Sequence, residues 1–279
     1  MTLRDLIKLV TPPLFIHLAK RLSDKWSAAP YGLSGEYRSW AEAMAASTGY
    51  DSEVILEKTK VALLKVKTGE AIYERDSVLF DEIEYAWPVL AGFMWVAARC
   101  GGTLNVLDFG GSLGSTYFQN RVFLSALSNT RWNIVEQASH VGIGKVFFED
   151  DHLRFYADIA GCLAETRPNI VLLSSVLQYL ECPYAVFDQI LALPCNYVIV
   201  DRTSFWNGPT DRLCVQTVPP SIYPATYPSW ILSRSQFHNH LHLHKDWKVV
   251  ATFDNPDKLA GPIDFVYQGV IIARNTQVS

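Results

Sequence analysis

The stretch Asn105-Val-Leu-Asp108-Phe-Gly110-Gly111-Ser112-Leu-Gly114 has the residue types needed to bring main chain against a ligand. An apolar run ends in an acid, then places a small residue at every second position, Asp108-x-Gly110-x-Ser112-x-Gly114. Positions without a Cβ let the backbone pass close under a bound molecule, and a helix opening just after such a turn presents N–H groups that no intrahelical carbonyl uses. The chemistry this suits is the holding of a nucleoside-type cofactor at the end of a strand. A dinucleotide fingerprint, G-x-G-x-x-G, would have to fall on Gly110, Ser112 and Ser115, so two of its three glycines are absent. A tight strand-to-helix turn with no ligand is the remaining alternative.

Polar residues recur at the ends of the neighbouring apolar runs. Trp132-Asn-Ile-Val-Glu136 closes on a carboxylate where ribose hydroxyls are commonly accepted by an acid. Asp158 follows a third run, placed either to contact an adenine amine or to start the next helix. Pro168 to Leu180 reads as a buried strand whose carboxyl end delivers Ser174, Gln178 and Tyr179, facing the crevice where open α/β sheets bind ligands. Asp201, ending Tyr197-Val-Ile-Val-Asp201, is the candidate general base, with Arg202 beside it to orient an anionic acceptor; a strand-capping pair is the competing reading.

Two further segments invite chemistry. Residues 203–232 hold Trp206, Tyr223, Tyr227 and Trp230 among five prolines, the composition of a lid over a sugar-like acceptor or of an irregular loop buried by its own aromatics. His238, His240, His242 and His244 alternate, as strand-borne metal ligands would. Helix signals oppose that: Ser233-x-x-Gln236 is a capping box, and Phe237, Leu241 and His244 recur at helical spacing. No metal site is expected, and His240, or His238, is kept as a candidate base. Tyr73-Glu-Arg75-Asp76 reads as a solvated helix face, or as a charged edge closing the site.

The elements that must position these groups fall into two textures. Residues 1–100 read as a helical extension, with helices at Ala41 to Ser47, Val54 to Lys67 and Leu79 to Ala98, the last kinked or divided by Pro88. Residues 101–279 alternate short apolar runs with helical patterns, the rhythm of βαβ units and a mainly parallel sheet. Seven strands are expected: Leu104 to Phe109, Trp132 to Glu136, Arg154 to Ala157, Ile170 to Ser174, Tyr197 to Asp201, Trp247 to Phe253 and Phe265 to Ala273.

Composition narrows the partners. A chain of 279 residues with net charge -4 and scattered Lys and Arg lacks the basic stripe of a nucleic-acid binder. Five well-separated cysteines with no C-x-x-C pair, and no apolar run of about 20 residues or signal pattern, lead to a cytoplasmic expectation. Residues 3–22 mix apolar side chains with Arg4, Lys8, Lys20 and Arg21, so they suit weak peripheral contact with an anionic inner-membrane surface. The same pattern suits a helix docking on its own domain or on a second copy in a homodimer.

Taken in order, these segments resemble the Rossmann-like class I methyltransferases. More narrowly the chain looks like a methyltransferase family of bacterial surface-polysaccharide and O-antigen gene clusters. That likeness rests on Glu36-Tyr37-Arg-Ser39-Trp40 with Thr48-Gly49-Tyr50-Asp51, on Gly69 to Asp81 including Tyr73-Glu74-Arg75-Asp76-Ser77, on the glycine loop, and on Val176-Leu-Gln178-Tyr179-Leu180. The resemblance implies an α/β fold with S-adenosylmethionine (SAM) as cofactor. The groups holding it would be Asp108, Gly110, Gly111, Ser112, Gly114, Glu136, Asp158, Ser174 and Gln178. Asp201, His240 and Tyr179 would face a saccharide or related small-molecule acceptor. An NAD(P)-dependent oxidoreductase and a non-catalytic binding module on the same fold are the alternatives.

Overall fold

The computed structural model describes residues 31–48, 52–220 and 222–275; the segment 3–22 and the residues Gly49-Tyr50-Asp51 lie outside them. Residues from Gly32 onward form one compact unit. The described residues between Gly32 and residue 100 contribute to the same sheet and core as those after it.

Seven strands form the central sheet: β4 (Thr103–Phe109), β5 (Asn129–Val135), β6 (Leu153–Tyr156), β7 (Ile170–Ser174), β8 (Tyr197–Trp206), β11 (Trp247–Asp254) and β12 (Val266–Arg274). Their spatial order is β6-β5-β4-β7-β8-β12-β11. The first five run parallel, and β12 is antiparallel to both β8 and β11. Each expected strand is present within a few residues of its predicted ends. With β5 on one side of β4 and β7 on the other, the crossover direction reverses between β4 and β7, and the crevice at such a switch point is where ligands sit. This is the Rossmann-like class I methyltransferase fold.

Helices cover both faces. On one lie α2 (Ser52–Thr68), α3 (Trp87–Arg99), α4 (Ser115–Leu124) and α5 (Ala138–Phe147), which bury Leu63, Phe93, Phe118 and Val141 against Leu104, Val106, Trp132, Ile170, Leu172 and Ile199. On the other lie α6 (Ile159–Glu165), α7 (Pro183–Ala192) and α8 (Arg234–Leu243), which bury Cys162, Phe187, Phe237 and Leu241 against Leu107, Val135, Val171, Val198 and Val200. Alternation along each strand divides these sets, as the pleat requires.

Three expectations are corrected. The part before residue 100 is not all helical. A short helix α1 (Trp40–Ala45) follows a strand β1 (Gly32–Tyr37), and a two-stranded hairpin of β2 (Tyr73–Arg75) and β3 (Val78–Phe80) precedes α3. Leu79 to Ala98 is neither one kinked helix nor two: Leu79 and Phe80 belong to β3, and Pro88 lies in the first turn of α3, where its missing N–H costs nothing, and so marks a start. Residues 203–232 are not a loop. β8 continues to Trp206, and β9 (Arg212–Thr217) and β10 (Thr226–Ser233) pair antiparallel, with β1 adding to β9 and the end of β10 joining β8. Trp230 is half-buried in packing, its indole N–H donating to the Leu180 carbonyl at 3.0 Å and its ring stacked on Trp40. No described helix is long and apolar enough to cross a membrane.

Candidate active site

The glycine loop leaves the carboxyl end of β4 and enters α4 through three left-handed steps, Gly110 at φ 73°, Ser112 at φ 52° and Gly114 at φ 104°. The alternation of small residues in the sequence is this alternation of positive φ. Only Ser112 bears a side chain in that region, a conformation that costs a non-glycine residue about 1 kcal/mol. A Cβ on Gly110 would lie 2.7 Å from Val176 Cγ2, and one on Gly111 would lie 2.5 Å from Asp108 Cγ. The loop is thus wedged between the residue before the turn at Gln178 and the acid that ends β4.

Asp108 is 1% exposed. Its carboxylate accepts the indole N–H of the fully buried Trp132 at 2.9 Å, the partner a buried tryptophan needs. Burial pushes this carboxyl up to about 7, against the lowering by Trp132, with the nearby Glu136 charge adding to the rise. Glu136, just past β5, accepts the Ser112 amide at 3.2 Å on one oxygen and the Gln137 amide at 2.8 Å on the other. It therefore shapes the loop while remaining partly open to solvent. We expect Ser112→Gly to leave the fold intact and to stabilise it by up to about 1 kcal/mol through relief of the left-handed serine. Gly111→Ala is expected to cost about 1–3 kcal/mol by overpacking against Asp108. Urea denaturation checks both, and equal midpoints for the two variants would contradict the wedged loop.

Asp108, Ser174 and Asp201 share one face, because each lies an even number of residues from a face-one core position: Val106, Leu172 and Ile199 respectively. Ser174 and Asp201 are register partners on β7 and β8, and the serine hydroxyl donates to Asp201 Oδ2 at 2.9 Å. Asp201 is 2% exposed, and its Oδ1 makes no hydrogen bond of good geometry, although the Arg202 amide and the Asn255 side chain stand near enough to the carboxyl to lower its pKa. Burial raises this carboxyl above the usual range, opposed by the Arg202 charge and the Ser174 hydroxyl. Gln178, in the 3₁₀ turn Leu177–Tyr179, donates its amide to Ser175 Oγ and the Arg202 carbonyl, and its own Oε1 is buried without a donor. Two buried acceptor oxygens thus stand unsatisfied, one on β8 beside the carboxyl end of β7 and one in the turn that follows β7, where a donor is worth most. Tyr179 stands beside them with its hydroxyl donating to Gln216 at 2.9 Å.

Sequence reasoning missed the hairpin over this mouth. Asp76 and Ser77 are both at positive φ, the geometry of a two-residue type I′ turn, so Tyr73 to Asp76 is strand and turn rather than helix face. Glu74 is 1% exposed and accepts Ser115 Oγ, at the first residue of α4, and the Ser77 amide, both at 2.6 Å. Asp76 pairs with Arg202 at 3.2 Å, and Arg202 also holds Asp257 at 3.0 Å. Burial acts to lower the Arg202 pKa, but these carboxylates and Asp201 override it and keep the guanidinium charged. The hairpin thereby spans from the start of α4 to the end of β8. Arg202 is a tether, already neutralised, and not a free cation for an anionic acceptor. The signal available in the sequence was Val78-Leu79-Phe80, a β-favouring run just after the turn.

One expected site residue, His240, lies elsewhere, and another, Asp158, caps a helix. His240 is on α8, whose buried Phe237 and Leu241 pack on the opposite face of the sheet, and its imidazole meets Asp188 Oδ1 at 2.6 Å beside Tyr184. It is not placed to serve as base with Asp201. Asp158 is exposed beyond β6 and accepts the Gly161 amide at 2.7 Å as the N-cap of α6, which fits its reading as a helix-starting acid. A cavity of about 190 Å³ lined by Phe205, Arg234, His238 and Gln268 lies on the His238 side, away from the glycine loop.

No family model and no curated protein sequence matches the chain. Solved structures similar to it include the N-terminal domain of EvdMO1 crystallised with SAH and D-fucose, at 14% identity and TM-score 0.45, covering 81% of this chain and 97% of that one. Magnesium protoporphyrin IX methyltransferase from Synechocystis with bound SAM is similar at 14% identity and TM-score 0.43, covering 82% and 99%. The mitomycin 7-O-methyltransferase MmcR is similar at 16% identity and TM-score 0.39, covering 67% and 54%. Likeness this distant carries nothing about chemistry, so the fold stands on the strand order and the chemistry on the residues.

Proposed function

We propose that the chain is an S-adenosylmethionine-dependent methyltransferase acting on a hydroxyl of a saccharide or related metabolite. The observation that carries this reading is the loop of alternating left-handed residues at the switch point, with the Glu136 carboxylate against its middle amide. The residues fit the cofactor. Gly110 and Gly111 leave backbone where a Cβ would collide, Glu136 is an acceptor for ribose hydroxyls, and Gln178 Oε1 is a buried acceptor awaiting a donor.

Bound there, SAM supplies a sulfonium methyl whose S–C bond breaks as the acceptor O–C bond forms. The chain's share is alignment and exclusion of water, which the hairpin carrying Glu74 and Asp76 serves. Asp201 accepts the hydroxyl proton at Oδ1, with Ser174 fixing its other oxygen. The residue stretches resembling the polysaccharide-cluster family favour a sugar acceptor.

Calorimetry tests the cofactor. SAM and its demethylated product SAH should each bind at one site, and NAD should give no heat. Glu136→Ala should weaken SAM by about 10- to 100-fold, the worth of one or two charge-assisted hydrogen bonds. Absence of heat with SAM and SAH, or saturable heat with NAD alone, would overturn the proposal.

A further inference from the structure

On the sheet face away from the glycine loop, three ligating side chains converge. His240 and His244, four residues apart, leave α8 and its C-cap on the same side. Their Nε2 atoms lie 2.6 and 2.8 Å from one oxygen, Asp188 Oδ1 on α7. All three ligand atoms lie within 4.8 Å of one another. We propose that Asp188, His240 and His244 form a binding site for a first-row divalent transition metal of the zinc class.

The chemistry of the donors selects that class. Two imidazoles and one carboxylate suit zinc, cobalt, nickel or copper, whereas magnesium and calcium prefer all-oxygen shells. Tetrahedral bonds of about 2.0–2.1 Å separate neighbouring ligand atoms by about 3.3 Å, so an ion needs the two histidine to aspartate contacts to open by about 0.5 to 0.7 Å. Asp188 and His240 sit within regular helices, and the Tyr184 ring packs on His240 at 4.8 Å with its hydroxyl tied to Asp211. The imidazole is thus braced before any ion arrives. Side-chain exposures of 23% for His240, 29% for His244 and 44% for Asp188 leave a path for the ion and room for water as its remaining ligand. Such an ion would clamp α7 to α8 across the Phe187 and Phe237 contact. The alternating histidine pattern therefore does encode a site, through one helical pair and an acid from elsewhere. His238 and His242 form the other i, i+4 pair on the helix and serve as a built-in control.

The site is independent of the methyl-transfer reading. The test titrates metal-free full-length protein with zinc chloride at neutral pH by calorimetry, then with cobalt chloride while the visible spectrum is recorded. One zinc per chain is expected, with binding weakened about 100-fold in His240→Ala and in His244→Ala. Binding in the double variant His238→Ala/His242→Ala should be unchanged. A zinc excess of about 100 times Kd should raise the wild-type melting temperature by roughly 5 °C and that of the histidine variants far less. Asp188→Asn, at an exposed position, is the second variant should a histidine change impair folding, and it should weaken zinc about tenfold. No saturable heat, binding that survives loss of His240 or His244, or a thiolate-to-cobalt absorption band assigning the ion to the cysteines would each overturn the proposal.

Discussion

Asp108→Asn is expected to change how stability depends on pH. The carboxyl of Asp108 is raised from about 3.8 to about 7 by burial. A group whose folded value lies above its unfolded value contributes stability that is full below the unfolded value and is lost as pH rises through the folded one. The wild type should therefore lose up to about 4 kcal/mol between about pH 4 and about pH 8, because the buried carboxylate must ionise without water. Asparagine keeps an oxygen for the Trp132 indole and does not titrate. Its amide group adds a cost of its own of about 1–3 kcal/mol, but that cost is independent of pH. The measurement is therefore the difference between variant and wild type in urea unfolding across pH: it should move in favour of the variant as pH rises. Parallel curves would mean that the acid ending β4 is solvated. Under the proposed function, SAM affinity should also rise through neutral pH in the wild type and stay level in Asp108→Asn, since a cationic cofactor favours the ionised acid.

How far the sequence reveals this site depends on whether its geometry is local. The glycine loop was legible because φ > 0 at Gly110 and Gly114 and the collisions awaiting any Cβ are imposed by a few consecutive residues. The seven strands were legible for the same reason, as buried runs bounded by turns. The capping box at Ser233 is also local, and Ser233 Oγ does accept the Gln236 amide. What was not legible required partners distant in sequence. The buried Glu74 is held by a hydroxyl that Ser115, far along the chain, donates from the start of α4. Tyr73-Glu-Arg75-Asp76 by itself has the composition of an exposed face. Arg202 looks like a free cation until Asp76 and Asp257 are brought to it.

The misreading of residues 203–232 has the same origin. Prolines and aromatics without clear alternation suggest a lid, yet Pro228 lies within β10 opposite Val215 and the strand is kept by its pairing with β9. Cross-strand partners stabilise what local propensity disfavours. The aromatics then pack within the added sheet and against its neighbours: Tyr227 meets Tyr179 edge-on, and Trp230 stacks on Trp40. The extension meets the site's 3₁₀ turn through that Tyr179 contact, the hydroxyl bond from Tyr179 to Gln216 and the Trp230 bond to the Leu180 carbonyl. Acceptor selection is therefore more economically placed at the 3₁₀ turn and the hairpin than in a moving loop.

The largest effect is expected from Asp201→Asn. Asp201 ends the parallel part of β8, is held on Oδ2 by Ser174, and presents a buried Oδ1 with no hydrogen bond of good geometry. An aspartate with its second oxygen fixed has one orientation and one lone-pair set left for a proton, which is the requirement for a general base. Burial raises its pKa, which strengthens it as a base once ionised and means that turnover should climb as pH rises through the raised value. Asparagine is nearly isosteric but cannot take the proton, so methyl transfer to hexose or nucleotide-linked hexose acceptors should fall by about 10²- to 10⁴-fold, and the pH dependence should flatten. The cofactor loop is held by Glu136 and Asp108, not by Asp201, so SAM affinity should stay within about threefold of wild type. Labelled-methyl transfer and calorimetry on the same preparation separate the two roles. Retained turnover would remove Asp201 from the chemistry, and a parallel loss of SAM binding would make it a structural support for the crevice. The buried acid also has a stability signature: the carboxylate is penalised in the fold, so the stability difference between Asp201→Asn and wild type should move in favour of the variant as pH rises, even as activity disappears.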